Sequence, residues 1–132
     1  MAGYTKSFDA DNYDTWLVKT DKIGTLERQK FYGESGDDRT IYGEQTADGG
    51  FIATGYTTGF DAVGWDVFLV KADPFGDVVW HRTFGGIVDD TGYIVKQSSD
   101  GGFVLIGETY SLGEGGGDVY LIKVNQDGEI ED

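Results

Sequence analysis

Asp14-Thr15-Trp16-Leu17-Val18-Lys19, Asp66-Val67-Phe68-Leu69-Val70-Lys71 and Asp118-Val119-Tyr120-Leu121-Ile122-Lys123 are one hexapeptide written three times, at a step of 52 residues from position 14 to 66 to 118. The step holds on either side. Gly3-Tyr4-Thr5 returns as Gly55-Tyr56-Thr57 and Gly107-Glu108-Thr109, and Gly24 returns as Gly76 and Gly128. Glycine, threonine, aspartate, leucine, lysine and glycine, in that order along the unit, are identical in all three copies. A fixed period of this size is the signature of a propeller or a stacked repeat array.

The strands are read in the second copy. Thr40–Thr46 is a first strand, and Asp48-Gly49-Gly50 is the turn to a second at Phe51–Thr57. A Gly/Asp loop leads to a third strand at Asp66–Ala72. Asp73-Pro74-Phe75-Gly76 then turns into a fourth at Val78–Phe84. Asp-Gly-Gly between β-rich runs is a strong hairpin signal. The third strand is apolar on alternate and intervening positions, Val67 and Leu69 against Phe68 and Val70. A strand with two dry faces belongs to a sheet covered on both sides. No segment has a helical period. The fold class is therefore all-β: four-stranded antiparallel propeller-type blades, ten strands in this chain, completed by oligomerisation. The units are a partial repeat at 1–34, a full one at 35–86 and a partial one at 87–132, within a single repeat domain.

Composition agrees. With 132 residues, 39% hydrophobic and 14% aromatic, the chain has material for one core, unlike a disordered segment. Its 22 glycines fall at periodic turn positions. The net charge of −14 disfavours nucleic acid and anionic membrane as partners. The absence of cysteine removes disulfides and thiolate chemistry. No apolar run of transmembrane length occurs. The first residues lack the apolar centre of a signal peptide, so export would imply a leader already removed.

Asp73-Pro74-Phe75-Gly76-Asp77-Val78-Val79-Trp80, followed by Thr83-Phe84-Gly85-Gly86, resembles the blade repeats of bacterial and archaeal β-propellers. The likeness is greatest to the tryptophan-bearing, quinoprotein-like blade and to secreted repeat proteins with an Asp-Gly-Gly-Phe hairpin. It covers nearly the whole chain and implies a fold rather than an activity. In the quinoprotein-like family the blade tryptophan docks on the neighbouring blade. Trp80 stands at that position here, with Arg28 in its place one unit earlier.

Three whole units would need 24 residues more than the 132 present. The gap corresponds to a fourth strand and the first strand after it. Propellers usually close with 4–8 blades, so a lone chain is expected to expose apolar faces and strand edges, which recruit other chains. Head-to-tail contact between copies gives a ring if it closes and a filament if it does not. By residue count, two chains supply about five blades. The competing reading is a fragment of a longer propeller. Gly3, Tyr4 and Thr5 at one end, and Val119, Tyr120, Leu121 and Ile122 at the other, are the expected assembly residues.

Asp9, Asp11 and Asp14 alternate in one loop, a pattern that suits a hard cation with oxygen ligands such as Ca²⁺. The equivalent loops are poorer in acids, and capping is the competing role for Asp14. Asp37-Asp38 and Asp89-Asp90 are acid pairs at one phase of the repeat. Recurrence favours turn capping over general acid–base catalysis. His81 is the single histidine and does not make a metal site alone. Lys19, Lys71 and Lys123 are expected to pair with turn carboxylates at the surface, where such pairs add little. Tyr13, Trp65, Tyr56 and Tyr110, with Tyr4 nearby, fall at one loop edge and with the acids suit a carbohydrate, although aromatics are also simply good strand residues.

The function expected from these residues is non-catalytic. The chain reads as a structural β-repeat subunit that assembles with copies of itself, head to tail, in a filament or ring, outside the cell or on its surface. The alternative is a lectin-like, ligand-binding propeller that uses Ca²⁺. No singular catalytic constellation stands out, and no cofactor other than Ca²⁺ is implied.

Overall fold

The computed structural model describes residues 1–7 and 11–131. Ten strands and no helix are present among them. β1 (Ala2–Thr5), β2 (Asp14–Thr20) and β3 (Leu26–Tyr32) form a first sheet. β4 (Asp38–Gln45), β5 (Phe51–Thr57), β6 (Asp66–Ala72) and β7 (Val78–Phe84) form a second, and β8 (Asp90–Gln97), β9 (Phe103–Thr109) and β10 (Asp118–Val124) a third. Every pairing is antiparallel between consecutive strands. Residue count led to five blades from two chains. The chain instead divides into three sheets, so two chains bring six, because the partial units at 1–34 and 87–132 each build a sheet of their own rather than halves of one.

Local chemistry sets the turns. Asp73 Oδ1 accepts from the amides of Phe75 (2.8 Å) and Asp77 (2.9 Å), and Gly76 takes a φ of 87°. Asp21 and Asn125 do the same in the other sheets, with Gly24 and Gly128 at positive φ. A side-chain oxygen that satisfies two turn amides, next to a residue free to adopt positive φ, is what makes these positions repeat.

The sheets stack face to face through β6. Val67 and Leu69 are 0% exposed and meet Val95, Phe103, Leu105, Ile122 and Val124 of the third sheet. The opposite face, with Phe68, Val70 and Ala72, is also buried; Phe51 and Ala72 pack with Leu17 of the first sheet. Buried threonines are satisfied: Thr54 donates to the Phe68 carbonyl at 3.0 Å, and Thr40 to the Thr15 hydroxyl at 2.8 Å. Lys71 departs from expectation. It is 6% exposed, its ammonium bonded to Asp48 (3.0 Å) and the Ala72 carbonyl (2.9 Å). Burial between two sheets, absent at the outer ones, accounts for the difference. Thr46, the Gly50 amide and Lys71 hold the Asp48 carboxyl down at about 2.

First strands press hard on second strands. A Cβ on Gly55 would collide with the Arg39 carbonyl oxygen, and one on Gly107 with that of Thr91. Both contacts fall where the first strand shifts register, at Thr40/Tyr42 and Gly92/Ile94. Around Gly3 there is nothing within 4 Å. Gly55→Ala should therefore lower stability by about 2–4 kcal/mol, in the range of severe core strain. Gly3→Ala should stay within about 0.5 kcal/mol. Urea unfolding of the two variants measures the contrast, and equal losses would contradict the packing described.

Candidate assembly faces and aromatic cluster

The two junctions inside the chain are built alike. At the rim, a fourth strand reaches the last turn of the next sheet. Trp80 Nε1 donates to the Gln126 carbonyl at 2.9 Å while its ring meets Phe103 edge-on at 5.9 Å, and Arg82 donates to the Asp127 carbonyl at 2.7 Å. One sheet earlier, Arg28 donates to the Pro74 carbonyl at 2.5 Å, Lys30 pairs with Asp77 at 3.0 Å, and the Tyr32 hydroxyl donates to the Gly76 carbonyl. Burial, with Asp77 and Asp73 close by, pushes the Tyr32 phenol up to about 12.

Toward the other end of the strands, the opening amide of a first strand bonds back to the residue before the preceding third strand. Asp38 N donates to Tyr13 O at 2.6 Å and Asp90 N to Trp65 O at 2.5 Å. Here each junction holds a carboxylate pair, Asp14 with Asp38 and Asp66 with Asp90. A Cβ on Gly33 would collide with the first pair, and one on Gly85 with the second. Asp38 accepts from the Thr57 hydroxyl and the Glu34 amide, and Asp90 from the Gly86 amide (3.0 Å) and the Ser111 hydroxyl (2.6 Å). Burial raises the Asp14, Asp38 and Asp66 carboxyls, with the partner's charge adding at Asp38 and Asp66. Burial acts on Asp90 too, but its hydrogen bonds outweigh it and hold that group low. Asp66 Oδ1 is buried without a hydrogen-bond partner.

Among the described residues, no sheet lies against the outer face of the third sheet. Val119 is 81% exposed, Leu121 65% and Ile106 47%, and Ile94 lies beside them. One unit earlier Val67, Leu69 and Thr54 are each 0% exposed. Of the expected assembly residues on β10, Val119 and Leu121 face outward. Tyr120 and Ile122 turn inward to the core shared with the second sheet. Tyr4 joins an aromatic cluster, while Gly3 and Thr5 lie on β1, which among the described residues pairs only with β2.

That cluster surrounds Arg39, whose guanidinium lies 4.0 Å from the Tyr13 ring centroid, 5.2 Å from Tyr4 and 5.9 Å from Tyr56. Trp65 stacks on Tyr56 at 4.6 Å, and Asp37 anchors Arg39 at 2.9 Å. Tyr13, Tyr56 and Trp65 are thus brought together. Tyr110 is apart, beside Glu108, whose carboxylate raises its phenol. Arg39, the residue that organises the group, is invisible to pattern reading because no other copy of the unit has arginine there. A second feature is an aromatic groove of roughly 330 Å³ between β3 and β7, lined by Tyr32, Phe60, Phe68 and His81. Phe60 is held there at a φ of 51°.

Of the expected cation ligands, Asp9 lies outside the described residues. Asp11 is exposed, and Asp14 faces Asp38 rather than Asp11. No group of three acidic, histidine or cysteine side chains poised for a metal occurs among the described residues. A scan against protein-family models finds no match, and a search of the curated proteins finds no similar sequence.

The carboxylate pairs make a signed prediction. A carboxyl raised in the folded state contributes stability that is fully present below its ordinary value near 3.8 and is lost as pH rises through the folded value. Asp66→Asn removes that loss and supplies an amide donor facing Asp90. The variant should show a higher urea midpoint than the parent at pH 7, with the gap closing below about pH 4. A pH-independent gap would show that Asp66 is not titrating in this way.

Proposed function

We propose that the chain is a non-catalytic structural subunit whose three sheets are propeller-type blades and which stacks head to tail on copies of itself, in a ring or filament outside the cell. The observation that carries this reading is the contrast between Val67 and Leu69, both 0% exposed, and their repeat equivalents Val119 and Leu121, at 81% and 65%. The same side chains that need a neighbouring sheet inside the chain stand open at its end. An exposed apolar sheet face of this kind marks an interaction surface. At the far end, Trp16 and Val18 stand where Phe68 and Val70 stand in the second sheet.

Magnitudes set the strength. Full burial of a Val, Leu or Ile side chain stabilises by roughly 1.5–3 kcal/mol. Four such residues, Ile94, Ile106, Val119 and Leu121, compete with an association cost of about 4–15 kcal/mol. Stacking is therefore weak and concentration-dependent. Leu121→Asp should leave the monomer's stability within about 0.5 kcal/mol, because the side chain is exposed, and should abolish assembly. Light scattering and negative-stain electron microscopy across a concentration series test this. A parent protein monomeric at every concentration, or a variant that assembles as well as the parent, would sink the proposal.

A second reading, saccharide binding, is favoured by the exposed Trp65 ring stacked on Tyr56 beside Arg39 and Asp37. Aromatic faces with flanking charged hydrogen-bonding groups suit a sugar. Trp65→Ala should then cost at least tenfold in affinity for a glycan selected by array screening, with no change in assembly. An empty array removes this reading.

A further inference from the structure

Gly3 is a glycine without a local reason. Gly55 and Gly107, its repeat equivalents, are required because the carbonyls of Arg39 and Thr91 occupy the space a Cβ would need. Those carbonyls belong to β4 and β8, the first strands of their sheets. Gly3 has nothing within 4 Å and no positive φ. Among the described residues the first sheet has the order β1-β2-β3, and the outer edge of β1 is unpaired. β4 passes over the face of β1, with Gly43 against Ala2, instead of pairing with that edge.

Thr5 carries the same signature. Thr57 Oγ1 accepts from the Gly59 amide at 2.8 Å, which leaves its hydroxyl to donate to Asp38 at the start of β4. Thr5 Oγ1 accepts from the Ser7 amide at 3.1 Å. No carboxylate receives its proton among the described residues. The first sheet thus keeps both halves of a receptor, a glycine cleared for a bulged backbone and a threonine set for an aspartate.

We propose that the free edge of β1 accepts one further antiparallel strand, an extended polypeptide segment with the pattern of residues 89–97: two aspartates, Thr-Gly, then the apolar run Tyr-Ile-Val. Strand addition to an open edge draws affinity from main-chain hydrogen bonds and specificity from alternate side chains. The opposite end of the molecule lacks the same element. Val67 and Leu69 are covered by a core that includes Val95 of β8, and Val119 and Leu121 have no such strand over them. In the head-to-tail contact, on which this last step rests, one added strand pairs with β1 of one copy and lies over Val119 and Leu121 of the copy before it. The strand is the seal of the junction. β4 and β8 of each copy are already paired in their own sheets, so neither is the sealing strand.

The test uses a fluorescein-labelled peptide of residues 89–97, titrated by anisotropy into the full chain carrying Leu121→Asp, at 0.15 M salt to screen the net charge of −14. Saturable one-to-one binding is expected. Gly3→Val, at a position with open space around it, should weaken binding at least tenfold while the thermal midpoint stays unchanged. A peptide with both aspartates changed to asparagine should also bind more weakly. Absent binding, or equal binding to the Gly3→Val protein, overturns the inference. Light scattering of the parent protein without peptide reports stacking separately. Gly3-dependent peptide binding by a strictly monomeric parent would uphold the edge site and reject the stacking reading.

Discussion

Everything in this molecule depends on covering a sheet that is apolar on both faces. β6 buries Val67 and Leu69 on one side and Phe68 and Val70 on the other. Such a strand is stable only inside a stack, so no sheet here is independent of its neighbours. The rim contacts of Trp80, Arg82, Arg28 and Tyr32 fix how one sheet meets the next, but the energy lies in the apolar layers between them. Polar contacts at an exposed rim contribute little each.

The stacking has an electrostatic cost. First strands enter each junction through an aspartate tied to the backbone of the preceding sheet, and that places Asp38 beside Asp14 and Asp90 beside Asp66. In one member of each pair hydrogen bonds oppose the desolvation: they hold Asp90 low but leave Asp38 raised. The other member, at the start of a third strand, is left with a raised carboxyl. The repeat therefore carries an acid-favoured term at each junction alongside the neutral-pH term of the Asp48 turn, and the two respond to pH in opposite directions.

Much of this is legible in the chain itself. The turns at Asp48-Gly49-Gly50 and Asp73–Gly76 could be placed because glycine at positive φ and an aspartate that accepts from turn amides leave a local mark. Strand boundaries agree at β5, β6 and β7, where turns bracket the run. β4 begins at Asp38 rather than Thr40, because Asp38 and Arg39 still pair with Thr57 and Tyr56 of β5 and the Asp38 amide donates to the Tyr13 carbonyl, a partner remote in sequence. The aromatic cluster was half visible: Tyr13 and Trp65 share one phase of the repeat and Tyr4 and Tyr56 another, but Arg39 holds them through contacts that span the junction. Tyr110 shares the edge in sequence and not in space, since Gly117 stands in the third sheet where Trp65 stands in the second.

Sequence alone determined that the chain is all-β, that it has ten strands, and where its hairpins turn, because those features follow from short apolar runs repeated at a fixed step and from local turn chemistry. Only the tertiary structure decided how the strands divide into three sheets, that Tyr120 and Ile122 point inward while Val119 and Leu121 point out, and that Lys71 is buried while its counterparts are not. Those facts depend on which sheet lies against which, and identical residues acquire different environments according to whether a neighbour is present. Gly3 joins the two levels. The repeat says that it matches Gly55 and Gly107, and the structure alone shows that, among the described residues, no strand stands beside it as β4 and β8 stand beside them.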